Sequence, residues 1–80
     1  VMPLLDPESD LSMSVVVMGA DILRELILQS PIQVDELMEL FVKWDNRRTE
    51  AHFYSSLEFL YIVGAIVHHK YHIILMKLTI

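Results

Sequence analysis

The chain has 80 residues, enough for one domain at most, and a chain this short buries only about 60% of its unfolded surface. Hydrophobic residues make up 54% and charged residues 21%, which excludes a disordered tail and leaves more apolar material than so small a core can hide. No cysteine is present, which excludes a disulfide scaffold, Cys-based zinc sites and thiol catalysis; 6 Lys and Arg against 11 Asp and Glu, a formal charge of -5, argue against gripping a phosphate backbone.

In chain order, residues 1–13 read as an extended arm. Pro3 and Pro7 break helices, Asp6, Glu8 and Asp10 form an acidic run, and Val1, Met2, Leu4, Leu5 and Leu11 could dock it. The domain proper is expected over 14–80. Ser14 to Gln29 are expected to form the first helix, capped by Ser12 or Ser14 and stopped by Ser30-Pro31. Val15, Met18, Ile22 and Leu26 fall on one side, with Gly19 and Leu23 beside them. Asp21 and Arg24 mark the other side, yet Val17 and Leu28 project there too, where a free-standing helix would prefer polar residues.

Ile32-Gln33 is short and extended. Val34 to Trp44 read as the second helix, with Asp35 and Glu36 complementing its dipole. Val34, Leu37, Phe41 and Trp44 recur at steps of three and four, as a core stripe does. Asp45 to Thr49 form a polar connection, in which Arg47 and Arg48 are expected to be solvated. Glu50 to Val63 read as the third helix, with Thr49 as cap, Phe53, Leu57, Leu60, Tyr61 and Gly64 on one face, and Gly64 ending it.

Ala65 to Val67 are expected to be a strand, His68 to Tyr71 a turn region, and His72 to Leu78 a second strand. Alternation sends Ile73 and Leu75 to one face and Ile74 and Met76 to the other, so both faces are apolar. The fold class is therefore mainly α with a small β-hairpin (α+β). Helix, short strand, helix, helix and hairpin is the order of a winged helix-turn-helix.

That fold invites a DNA-binding reading, because its third helix commonly enters the major groove. Here the third helix has no Lys or Arg; its charges are Glu50 and Glu58, and Ala51, Ser55, Phe59 and Ile62 occupy the side away from the expected core. The structural alternative for Phe59 and Ile62 is packing against the N-terminal arm. His68, His69 and His72 could ligate a metal, but no carboxylate or cysteine lies nearby in sequence, and neighbouring strand residues point apart. No metal or other cofactor is expected. Catalysis finds no support either: there is no Gly-rich phosphate loop, and Asp35, Glu36 and Glu39 are explained by helix capping. Of the five methionines, Met13 and Met76 lie outside the helical stripes and suit an adaptable contact surface. The candidate partner interface comprises Val17, Leu28, Phe59, Ile62, Ile74 and Met76.

The longest apolar run, Phe59 to Val67, is far short of the about 20 residues of a membrane-spanning helix. With no basic segment followed by a long apolar run at the start, a cytoplasmic location is the expectation.

Two stretches carry a family resemblance: Leu-Gln-Ser-Pro-Ile-Gln-Val-Asp-Glu-Leu at 28–37 and Phe-Tyr-Ser-Ser-Leu-Glu-Phe-Leu-Tyr-Ile-Val-Gly-Ala-Ile at 53–66. Through them the chain resembles, over most of 12–77, the type-six middle component of prokaryotic ABC-three-component conflict systems. The resemblance implies a small non-enzymatic winged-helix adaptor. Its partners would be an SMC-like ABC ATPase and an effector such as a nuclease, in the broad class that includes Lamassu-type antiviral defence. DNA would then be met only through the complex, and the isolated chain could self-associate. The family brings no catalytic residues, and the apolar stretch Ile73 to Ile80 departs from it. Two alternatives remain: a winged-helix DNA-binding transcriptional regulator, and a dimeric winged-helix accessory of a condensin-like complex.

Overall fold

A computed structural model describes residues 13–76; the arm expected over 1–13 lies outside them apart from Met13, as do Lys77 to Ile80. The elements run α1 (Val15–Leu28), β1 (Ile32–Gln33), α2 (Val34–Trp44), α3 (Glu50–Ile62), β2 (Ile66–His69) and β3 (His72–Leu75). The architecture is α+β: three helices and a three-stranded antiparallel sheet in the order β1-β3-β2.

Each helix starts where a side chain or charge can serve its free amides. The Ser14 hydroxyl accepts from the Val17 amide at 3.2 Å and caps α1. Helix α2 has no side-chain cap, but Asp35 and Glu36 sit in its first turn and Lys43 in its last, matching the dipole at both ends. Helix α3 carries a reciprocal box: the His52 amide donates to Thr49 Oγ1 at 3.3 Å, while the Thr49 amide donates to His52 Nδ1 at 3.1 Å. Gly64 follows at φ +81°, a left-handed conformation that glycine adopts without strain, and turns the chain into β2.

The core draws on every element. Met18, Ile22 and Leu26 of α1 meet Ile32 of β1, Leu37 and Phe41 of α2, Phe53 and Leu60 of α3, Ile66 of β2 and Ile73 of β3. Phe41 and Phe53 meet edge to face with centroids 5.4 Å apart, locking α2 to α3. Gly19 lets α3 approach α1, since a Cβ there would lie 3.3 Å from Leu60 Cδ2 and 3.4 Å from Phe59 Cδ2.

The sheet is stitched to the helices at two points. The Leu75 amide donates to Ser30 Oγ at 2.9 Å, and the Val34 amide donates to the Tyr71 carbonyl at 2.8 Å. The link after α1 and the start of α2 are thus both held by the hairpin.

Five sequence expectations need correction. Trp44 is 40% exposed, because α2 ends there and its indole extends past Phe41, edge to face at 6.5 Å. Tyr61 is 60% exposed: the buried positions of α3 are Phe53, Ser56 and Leu60, and a residue one step after Leu60 is carried about 100° away from them. Met13 packs against the core and is no free contact residue. His68 and His69 belong to β2, which starts at Ile66 and not Ala65, and the turn is only Lys70-Tyr71, with Lys70 at φ 57°.

The fifth correction concerns Arg48, which is buried and not solvated. Its Nη2 donates to Asp21 Oδ2 at 2.7 Å, across 27 residues of sequence, and its guanidinium lies 4.6 Å from the Phe41 ring centroid. Asp21 also pairs with Arg24. Arg47 is exposed, and Asp45 accepts from it at 2.6 Å.

Candidate functional site

Two surfaces stand out among the described residues. The first is the outer face of α1. Val17 and Leu28 are exposed there as expected, and they have company the sequence reading missed: Val16 is 59% and Ile27 70% exposed. Val16, Ala20, Leu23 and Ile27 recur at steps of four, three and four, a second apolar stripe beside the one that faces the core. Only Leu23 of the four is partly covered. The signal was present in the sequence but hidden by its neighbour, because an apolar helix with two stripes shows one broad hydrophobic pattern.

The second surface joins α3 to the hairpin. Ile62 is 74% exposed and Val63 follows it into solvent; Met76 is exposed at the far end of β3. Phe59 does not share that exposure. It is half-buried, packed against the core beside Gly19 of α1. Ile74 is half-buried on the outer face of the sheet, where its register partner Val67 also lies.

Between α3 and the hairpin runs a groove of about 240 Å³, lined by Val34, Tyr54, Leu57, Glu58, Tyr61, Ile66, His68 and Ile73. The strand alternation explains its composition. Ile66, His68 and Ile73 share the inner face of the hairpin, because His68 pairs with Ile73 and lies two residues from Ile66. From α3, Tyr54, Glu58 and Tyr61 stand at steps of four and three, so they form one row along the groove. The floor is apolar and the α3 rim is aromatic and acidic. Glu58 has no ion-pair or hydrogen-bond partner among the described residues. A smaller hollow lined by Gln33, Val34, Asp35 and Tyr71 adjoins it through Val34. No Lys or Arg lines either one.

A larger open hollow of about 380 Å³ lies between Asp21, Arg24, Glu25, Leu28 and Trp44. Its polar groups are already engaged with one another or nearby: Asp21 with Arg24 and Arg48, and Glu25 with Gln29.

Among the described residues no three His, Asp or Glu side chains gather as metal ligands, and no helix is long and apolar enough to cross a membrane. His69 and His72 face each other across the hairpin on the outer side, whereas His68 faces inward. Comparison with protein-family models, with curated proteins and with solved structures returns no match.

Proposed function

We propose that this chain is a winged-helix adaptor, the middle subunit of a complex between an SMC-like ABC ATPase and an effector such as a nuclease in prokaryotic antiviral defence. The fold reading is supported by the element order and by the sheet order β1-β3-β2, which lays the hairpin beside the short strand that opens α2. The non-enzymatic, protein-binding reading rests above all on the outward side of α3. In a DNA reader this helix would offer cations to phosphate. Here it offers Glu50, Tyr54, Glu58, Tyr61 and Ile62, and no Lys or Arg.

The nearby cations support the same reading. Arg48 is buried against Asp21, and Arg47 is paired with Asp45, so the loop before α3 presents little free positive charge. A bridging subunit also needs more than one contact surface. Apolar side chains stand exposed on several elements among the described residues, foremost Val16, Val17, Ile27 and Leu28 on α1 and Ile62 at the end of α3.

The test is co-purification of the tagged chain with an ATPase and effector encoded beside it. The adaptor predicts a stable three-part complex and no appreciable binding of duplex DNA by the pure chain. Micromolar DNA binding that falls steeply with salt would favour the transcriptional regulator. A stable homodimer that ignores both partners would favour the condensin-like accessory.

A further inference from the structure

We infer that the groove between α3 and the hairpin receives a basic, aliphatic segment of the partner protein, with an aliphatic side chain on the groove floor and an arginine or lysine on Glu58. This inference rests on the adaptor reading and specifies the chemistry of one of its contacts.

The floor is set by Val34, Leu57, Ile66 and Ile73, which offer carbon surface and no hydrogen-bonding side chain. An aliphatic side chain suits it; a polar one would lose water with nothing in return. The rim supplies the second requirement. Glu58 lies between Tyr54 and Tyr61 on one helix face, and all three side chains are exposed. A carboxylate flanked by two tyrosine rings suits a cation, which it can meet with charge-assisted hydrogen bonds while the ring faces add their own attraction.

The surroundings extend the complementarity. Glu50 stands one turn before Tyr54, and Asp35 lines the adjoining hollow. On the hairpin side the facing titratable groups are His68 in the groove and Lys70 at the turn. The acidic groups therefore outnumber the one permanent cation. A nucleic acid is disfavoured by the same carboxylates. A second copy of the chain fits poorly: Arg24, Arg47 and Arg48 are already paired with carboxylates of their own molecule, and the other described cations, Lys43 in the last turn of α2 and Lys70 at the hairpin turn, do not stand in an extended aliphatic segment.

The experiment uses the full isotope-labelled chain and two short synthetic peptides, one combining leucine with arginine and a twin with glutamate for each arginine. The arginine peptide is expected to shift the amide resonances of Tyr54, Leu57, Glu58, Tyr61 and His68, and the glutamate twin is expected to leave them unmoved. Glu58→Gln keeps the shape and should weaken the arginine peptide roughly tenfold, the worth of one charge-assisted hydrogen bond. Tyr61→Ala, also at an exposed site, should weaken it without changing the circular dichroism spectrum. Equal binding of both peptides, shifts confined to another face, or the same shifts with duplex DNA would each overturn the inference. Peptide capture in the groove with no ATPase–effector complex formed would uphold the groove chemistry and sink the adaptor reading. A complex that forms normally with Glu58→Gln, together with silent peptides, would do the reverse.

Discussion

Asp21 and Arg48 form the most consequential pair of side chains away from the surfaces. Arg48 is buried, yet its Nε and Nη1 have no hydrogen-bond partner among the described residues, so its charge is satisfied almost wholly by Asp21 and the Phe41 ring. The two partners should therefore respond unequally to mutation. Asp21→Asn leaves a buried cation without its counter-charge and should cost about 3 kcal/mol of stability. Arg48→Met removes the cation and its unsatisfied donors together, keeps an apolar stem against Phe41, and leaves Asp21 with Arg24; its cost should stay below about 1.5 kcal/mol. Urea unfolding of the two variants checks this, and an equal loss would show that the pair's attraction, not the stranded charge, dominates.

At the scale of elements, α3 decides how its end can be probed. Phe59 and Ile62 looked equivalent by helical spacing, but Phe59 lies against Gly19 and the core while Ile62 stands free. Phe59→Asp would place a carboxylate at the α1–α3 contact and should lower stability by about 2 kcal/mol or more. Ile62→Asp should leave the circular dichroism spectrum and melting point nearly unchanged while weakening capture by the ATPase and effector that the adaptor proposal names. A destabilised Ile62→Asp would show that this residue is covered, by the N-terminal arm for instance. The elements themselves were largely legible in the sequence: periodicity, Ser14, Thr49, Ser30-Pro31 and Gly64 bracket all three helices to within a residue or two. What was not legible depended on distant partners. Ser56 is buried because α3 turns it toward the other elements, its hydroxyl being satisfied locally by the His52 carbonyl at 2.8 Å, and Arg48 is buried because Asp21 waits on α1. The groove is illegible in the sequence for a similar reason. Its row of Tyr54, Glu58 and Tyr61 gains a floor only when the hairpin folds back over α3.

For the molecule as a whole, composition implies more apolar material than one core can take up. Among the described residues that excess shows on α1 as a second stripe, at the end of α3, and at Trp44, Val67, Tyr71 and Met76. An isolated chain should therefore self-associate at high concentration, and the α1 stripe should be the main cause. Ile27→Glu with Val16→Ser should shift light scattering toward the monomer without loss of helix content. A wild-type chain that stays monomeric at millimolar concentration would show these faces to be too small or too dispersed to pair.

The central place of β3 in the sheet bears on how the chain is made. β1 and β2 both find their ladder partners on β3, and Ser30 and Val34 also bond to the hairpin's second half or its turn. During synthesis the earlier strands emerge with no mate, and Ile32 and Ile66 have no Ile73 to close over them. The three helices can gather first, but the packing of the described elements should stay loose until β3 leaves the ribosome. A chain ended at Lys70 should accordingly keep its far-ultraviolet helical signal, lose near-ultraviolet dichroism and be cut readily by protease. Cooperative unfolding of that shortened chain would show instead that the helices suffice.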